Sequence, residues 1–123
     1  MTGKSEAIAL AYLDAAGKNQ LDRLSELVAQ DVSFVGPMTS TTGRDALVAA
    51  LKRISAVHVE NEIKRVFSDG NEVCVIYDFV TDTMGKLPTI EWLQIDDGKI
   101  RSIKLYYDQV PWLKVREELA RRT

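Results

Sequence analysis

Two short apolar-rich segments joined by four polar residues most limit what this chain can fold into. The segments span residues 89–95 and 100–107, and Asp96, Asp97, Gly98 and Lys99 connect them. Asp-Gly between two apolar segments is a strong signal for a tight β-hairpin turn. The sequence therefore predicts an antiparallel pair of strands within residues 87–109.

Both predicted strands carry apolar residues on both of their faces. A hairpin with one face in water would show apolar residues at alternate positions only. We therefore expect this sheet to be covered on both sides. One face carries Leu93, Ile95, Ile103, Leu105 and Tyr107, and the other carries Ile90, Trp92, Ile100 and Tyr106.

Glu91 interrupts the apolar pattern, because it shares a face with Leu93 and Ile95. If that face is the core, the Glu91 carboxyl either breaks the core or takes part in chemistry. Burial raises the pKa of a carboxyl group and favours the neutral acid, which can donate a hydrogen bond to a developing oxyanion. The alternative is an ionised Glu91 in a structural salt bridge with a lysine or arginine.

Composition indicates one globular domain over residues 1–123 and disfavours several classes of function. Apolar residues make up 46% and charged residues 28%, an ordinary globular balance. With 16 basic and 18 acidic side chains, the chain has no positive excess for phosphates, so we expect no nucleic-acid partner. The apolar segments are too short for a bilayer, and the first residues lack the apolar core of a signal peptide. We expect a cytoplasmic protein without a membrane partner.

The lone cysteine and the lone histidine argue against familiar disulfide and zinc sites. Cys74 is interpreted as a small buried hydrophobic residue. His58 shares its parity with Glu60 and Glu62, so we expect its ring to face solvent or a partner. Asn61 has the opposite parity and is expected to point its amide into a cavity. No metal or organic cofactor is expected.

Helical spacing of apolar residues predicts two helices at the start of the chain. Ser5 is expected to cap the first helix, which ends at Gly17. Asn19 is expected to cap the second, whose apolar stripe continues to Val28. Only a short connection separates them, so they are expected to pack as a helical hairpin.

The rest of the chain predicts an α+β domain. A short strand is expected at 31–35 and a third helix at 42–55. The apolar period then changes from 3.6 to 2, with a turn at 68–71 and a loop around 85–86, until Pro111 opens a short C-terminal helix. The strands in this second half are predicted at 57–64, 73–83, 89–95 and 100–107.

This order of elements and three phrases of the sequence resemble the nuclear transport factor 2-like superfamily, especially its SnoaL-like and ketosteroid isomerase-like members. The phrases are AYLDAAGKNQLDRLSELVAQDVSFVGP at 11–37, GRDALVAAL at 43–51 and IDDGKIRSIKLYYD at 95–108. The resemblance implies a cone-shaped α+β barrel, in which a curved antiparallel sheet wraps over N-terminal helices. That fold hosts isomerases, polyketide cyclase-like enzymes, epoxide hydrolases, dehydratases and binding domains, so it implies no single activity.

The resemblance to ketosteroid isomerases supplies half of a catalytic site. In those enzymes a tyrosine on the first helix and a protonated aspartic acid on a late strand form an oxyanion hole. Tyr12 falls at the tyrosine position and Glu91 at the aspartic acid position. The family's general base precedes a proline, and here Gly36 precedes Pro37, so the proton-abstracting carboxylate is missing. Alternatively, Tyr12 is a helix-face residue whose hydroxyl reaches water.

The resemblance to epoxide hydrolases does not extend to their water-activating residues, which are two aspartates and an arginine. Leu105 occupies the final-strand aspartate position, and Asp108 follows three residues later at the strand end. Asp78 matches the other aspartate only after a gap and lacks an accompanying arginine.

The face of Glu91 predicts an apolar, aromatic cavity for a small hydrophobic ligand, such as a polyketide, terpenoid or steroid-like molecule. Two functions stay open. One is an isomerase, cyclase or hydrolase-like enzyme that uses Tyr12 and Glu91 without a cofactor, and the other is a non-catalytic ligand-binding or interaction domain. A third alternative is that side chains fill the cone. The predicted ligand-binding residues are Phe34, Met38, Asn61, Tyr77, Phe79, Leu93, Leu105 and Tyr107, with Thr81 and Ile103 on the same face.

The opposite face of the sheet predicts a homodimer. Cys74, Ile76, Trp92 and Tyr106, called the outer patch here, would give a monomer one large exposed apolar area. Related domains commonly pair through this face, so the resemblance implies the same assembly.

Overall fold

The computed structural model of the protein describes residues 2–122. Within that range, helices cover one face of a curved sheet, which confirms the predicted α+β class. The elements in chain order are α1 (Thr2–Gly17), α2 (Leu21–Ser25), β1 (Val28–Val35), β2 (Ser40–Thr42), α3 (Arg44–Ile54), β3 (His58–Asp69), β4 (Glu72–Thr81), β5 (Gly85–Asp96), β6 (Lys99–Tyr107), α4 (Val110–Lys114) and α5 (Arg116–Arg122).

The strands form one sheet in the order β2-β1-β6-β5-β4-β3. The pairing of β1 with β6 is parallel, and the other pairings are antiparallel. The predicted hairpin is confirmed as β5–β6, in the middle of the sheet. Asp97 and Gly98 in its turn have φ values of 53° and 77°, the left-handed conformations that a type I′ turn requires.

The hydrophobic core lies between α1, α3 and the sheet face that carries Glu91. α1 packs across β3 and β4, and α3 packs against β1. The face of Glu91, which is the expected inner face, is therefore the buried face. Its largest fully buried side chains are Tyr12, Phe34, Leu24, Leu47, Leu93, Ile100 and Ile103.

Ile100 departs from the predicted parity. The sequence pattern groups it with Trp92 and Tyr106, but it is fully buried in the core. The register of β5 and β6 shifts between Gln94 and Ile95, and the extra residue on β6 turns Ile100 to the inner face.

Both predicted helix caps are wrong. α1 begins at Thr2, and Ser5 is buried within it. Gln20 stands at the N-cap of α2, while Asn19 adopts a φ of 56° in the turn after α1. The packing of α1 along its length outweighs the local capping preferences here.

The second helix is shorter than predicted, because its last residues join the sheet. The backbone N–H of Ile100 donates to the Leu27 carbonyl at 2.9 Å, and Val28 begins β1. β2 is a strand that the sequence pattern misses, since it has three polar residues at the sheet edge.

Several boundaries in the second half also differ from the prediction, and β3 continues to Asp69 instead of ending near residue 64. β4 ends at Thr81 and β5 already begins at Gly85, so the predicted loop is a tight turn. The single predicted C-terminal helix is divided into α4 and α5 at Val115. The side chain of Leu119, predicted on the apolar face of that helix, lies outside the described residues.

Candidate functional site

A cavity of about 230 Å³ lies between the inner sheet face and the helices. Leu93 is buried in the core and is not among the residues that line the cavity. Met38 is exposed and lies at the open end. The other predicted site residues that line it are Tyr12, Phe34, Asn61, Tyr77, Phe79, Glu91, Leu105 and Tyr107.

Glu91 is buried in the centre of the sheet, with 3% of its surface exposed. Its neighbours across the sheet are Val75 and Leu105. The Tyr77 hydroxyl donates a hydrogen bond of 2.6 Å to Glu91 Oε1, whereas Oε2 is buried without a hydrogen-bond partner. The salt bridges found within residues 2–122 do not include Glu91, so the salt-bridge alternative is not supported.

Burial raises the pKa of Glu91 to about 7, although the hydrogen bond from Tyr77 acts in the opposite direction. Desolvation dominates because an unpaired buried carboxylate is costly. Near neutral pH the carboxyl is therefore a mixture of acid and anion. In its acid form, Oε2 can donate a hydrogen bond into the cavity while Oε1 still accepts one from Tyr77.

Tyr12 extends from α1 into the same buried region, and only 1% of its surface is exposed. The alternative of a helix-face tyrosine in water is therefore wrong. Burial, together with the nearby Glu91 charge, raises the pKa of Tyr12 well above its usual value. Its phenol stays protonated and is a second potential donor beside Glu91.

Tyr77 makes a direct hydrogen bond to Glu91 that the sequence alone does not predict. It pairs with Thr89 on β5, while Glu91 pairs with Val75 on β4, so Tyr77 and Glu91 are diagonal neighbours on one face. Once the β4–β5 register is known, that spacing predicts their contact. The sequence alone does not fix the register.

His58 lines the cavity, so the expectation that it faces solvent or a partner is wrong. Its ring stacks on Phe79 with 3.9 Å between centroids. The cause is a register shift between His58 and Glu60, which inserts Val59 as an extra residue, 52% exposed. The bulge reverses the inward and outward alternation at this end of β3.

Asn61 holds the His58 ring in place. The Asn61 Nδ2 group donates to the Leu13 carbonyl at 2.9 Å, and Asn61 Oδ1 lies 2.8 Å from His58 Nε2. Because Asn61 uses its amide N–H₂ on Leu13, its oxygen accepts from Nε2–H. Burial lowers the pKa of His58, although contacts of the ring with Asn61 and the Glu60 backbone oppose this. The ring is therefore mainly neutral at pH 7.

The position of the family's general base carries no carboxylate and is tightly packed. A Cβ atom placed on Gly36 would lie 3.3 Å from Leu105 Cβ and 3.4 Å from Tyr107 Cε1. Asp78 points toward Lys64 on the other face, at 3.7 Å, and Asp108 is exposed beyond β6. Among the described residues that line the cavity, Glu91 is the one carboxyl group.

The sequence pattern misses two further residues at the open end of the cavity. Trp112 on α4 lines it and packs against Phe79 and Tyr107, at centroid distances of 5.5 and 6.2 Å. Arg53, at the end of α3, also lines it. Helical periodicity indicates an apolar face for Trp112 but not what that face covers.

Residues 2–122 contain no group of three or more histidine, cysteine, aspartate or glutamate side chains that could hold a metal ion. None of their helices is both long enough and apolar enough to span a membrane.

Comparison with solved structures places this architecture among known proteins. A protein from Kribbella flavida DSM 17836 has a TM-score of 0.84 and 25% identity, over 94% of this chain and 96% of that chain. Another from that organism, described as a proposed ketosteroid isomerase, has a TM-score of 0.79 and 19% identity, over 87% and 79%. An LEH-like epoxide hydrolase from M. tuberculosis has a TM-score of 0.78 and 19% identity, over 97% and 95%. The last two likenesses show the fold alone.

Sequence comparison identifies the family. No curated protein matches the chain. The SnoaL-like domain family matches residues 9–103, which is most of the chain and includes part of α1, the first five strands and part of β6. The resemblance predicted from the sequence is confirmed, and the chain belongs to the SnoaL-like domain family.

Proposed function

We propose that this protein binds a small, mainly apolar molecule and holds one carbonyl, phenol or enolate oxygen of that molecule through Glu91. The observation that carries the proposal is the Glu91 carboxyl on the cavity wall, whose Oε2 is buried without a partner. A buried polar atom without a hydrogen bond costs free energy. A ligand oxygen beside Oε2 would remove that cost.

The surroundings of Glu91 suit such a ligand. Phe34, Phe79 and Leu105 supply apolar wall, and Tyr12 supplies a second phenol donor. Because burial raises the pKa of Glu91 to about 7, the carboxyl is largely a donor at pH 6. The anion that replaces it at higher pH would repel an enolate or phenolate. Affinity for a ligand that presents a carbonyl or enolate oxygen should therefore fall as the pH rises above 7, whereas a neutral phenol can donate its own proton to the anion.

The absence of a carboxylate at position 36, where Gly36 stands, favours binding without proton abstraction over catalysis. A second candidate is an isomerase or cyclase-like enzyme in which Glu91 and Tyr12 stabilise a developing oxyanion. The raised pKa of Glu91 favours this candidate, because catalytic acids are commonly tuned toward neutral pH. The two candidates differ in one measurement: an enzyme would exchange the C1 protons of 2-tetralone with solvent deuterium, whereas a binding protein would not.

We expect 2-naphthol, an aromatic analogue of the 2-tetralone enol, to bind the wild-type protein at pH 6. Glu91→Gln should weaken it about tenfold, because a strong donor is replaced by a weaker amide. Ala50→Leu should abolish binding by filling the cavity from α3. Fluorescence titration measures both effects.

Ala49→Leu is the matched control, since Ala49 precedes Ala50 on α3 but is exposed. It should bind 2-naphthol like the wild type. Equal affinity in the wild type and Ala50→Leu would place binding elsewhere, and no binding to the wild type would count against the proposal.

We also propose a homodimer formed through the outer patch. Cys74 pairs with Trp92 and Ile90 pairs with Tyr106 across β4, β5 and β6, so the apolar side chains are contiguous. In one chain Tyr106 is 51% exposed, whereas Cys74, Ile76 and Trp92 are half-buried. A second copy would cover the exposed part of this face, which would account for the apolar residues on both faces of these strands.

Light scattering at micromolar concentration should give the mass of two chains. Tyr106→Asp should shift the mass toward one chain, because it buries a charge in the interface. Val59→Asp is the control, since Val59 is similarly exposed but lies on the bulge of β3. A wild-type mass of one chain would refute the dimer.

A further inference from the structure

The open end of the cavity carries a cation that the proposed function leaves unused. Arg53 lies in the last turn of α3, and this exposed residue is one of those that line the cavity. The connection from α3 to β3 then brings His58 to the same cavity. Arg53 and His58, which are five residues apart in the sequence, therefore both line this cavity.

The charges around the cavity are distributed unevenly. Among the described residues that line it, Arg53 is the one permanent cation and Glu91 the one carboxyl. Glu91 is 3% exposed and lies at the buried end, whereas Arg53 lies in solvent at the open end. The ion pairs found within residues 2–122 do not include Arg53. Its guanidinium group is therefore available to an anion at the mouth.

Building on the binding function proposed above, we propose that Arg53 selects ligands that carry a carboxylate at the end opposite the oxygen held by Glu91. The planar guanidinium fork matches a carboxylate with two parallel hydrogen bonds. Between the two ends, the ligand body would contact the apolar walls, including Phe79 and Leu105. The ligand class is thus an apolar acid with a carbonyl or hydroxyl group at its far end.

The two ends of the cavity also fix the orientation of such a ligand. A carboxylate pushed to the buried end would lose its hydration and face the Glu91 carboxyl, without a cation to pair with it. At the mouth it keeps partial hydration and meets Arg53. The neutral oxygen of the ligand is then left for Glu91 Oε2, which has no other partner.

The test compares two probes that share their rings and hydroxyl group. 6-Hydroxy-2-naphthoic acid carries a carboxylate at the end opposite its hydroxyl, and 2-naphthol does not. At pH 6 and low salt, wild-type protein should bind the acid about tenfold more tightly, the scale of one charged hydrogen-bonded pair. Arg53→Met should reduce this preference to about one. Arg53→Lys should keep part of it, because the charge remains but the fork is lost.

Arg65→Met is the matched control, since it removes the same charge from an exposed arginine that does not line the cavity. It should keep the tenfold preference. If Arg53→Met and the wild type show the same ratio of affinities, or if the wild type prefers 2-naphthol, the role of Arg53 is refuted. In that case Glu91-dependent binding of 2-naphthol still supports the proposed function. Failure of both probes to bind refutes both proposals.

Discussion

Replacing Glu91 by glutamine is expected to stabilise the protein by about 3 kcal/mol at pH 8 and to change its stability little at pH 4. In the folded protein, burial raises the pKa of Glu91 to about 7 from a model value of 4.5. The unfolded chain therefore ionises first, and wild-type stability falls as the pH rises from 4.5 through 7. Glutamine keeps the shape and can still accept the hydrogen bond from Tyr77, but it has no charge to bury.

Urea unfolding of both proteins between pH 4 and 8 measures this difference, in which the other titrating groups cancel. Glu60→Gln is the control, because Glu60 is exposed on the same sheet and its replacement should give a flat difference. A loss of more than about 1 kcal/mol in Glu91→Gln at pH 8 would mean that Glu91 is an ionised, partnered group. In that case Glu91 would not be the hydrogen-bond donor to the ligand.

The double variant Gly36→Asp with Leu105→Ala is expected to gain proton-abstraction activity. Leu105→Ala keeps the Cβ atom that a Cβ at position 36 would meet at 3.3 Å, but it removes the Cδ1 atom at 3.6 Å and so makes room for the rest of a longer side chain. The new carboxylate would then stand at the family's base position, in the same cavity as Tyr12 and Glu91. A placed general base contributes about 10²–10⁴-fold, so exchange of the C1 protons of 2-tetralone should accelerate at least about a hundredfold over the wild type. Deuterium incorporation followed by NMR measures this rate.

Gly36→Asn with Leu105→Ala is the matched control, because it has the same shape without a carboxylate. It should exchange at the wild-type rate. Gly36→Asp alone should fold with a loss of about 1–3 kcal/mol, as expected for overpacking. Equal exchange rates for the Asp and Asn double variants would show that the acid half of the site cannot cooperate with a base at this position.

The sequence predicts the fold well where local and tertiary signals agree. The β5–β6 hairpin is the clearest case, because the Asp97-Gly98 turn and the apolar segments on both sides indicate the same structure. Parity places Glu91 on one face with Leu93 and Ile95, and the structure shows that this is the buried face. Ser5 and Asn19 are contrary cases, in which suitable capping residues are overridden by helix packing.

The candidate site is only partly predictable, because register decides which side chains meet. Parity brings Tyr77 and Glu91 to the same face, but their hydrogen bond depends on the pairing of Val75 with Glu91. The inward position of His58 depends on one extra residue in β3. Arg53 reaches the cavity because α3 ends beside it, and helical periodicity carries no information about that position.

The bulge at Val59 decides which side chain at this end of β3 faces the cavity. On either side of it β3 stays paired with β4, His58 with Thr81 and Glu60 with Val80, and a second shift follows between Ile63 and Arg65. If the same residues paired with β4 without the first bulge, Val59 would turn inward and His58 outward. One local change of pairing at the edge of the sheet therefore determines whether the cavity wall holds an imidazole or an isopropyl group.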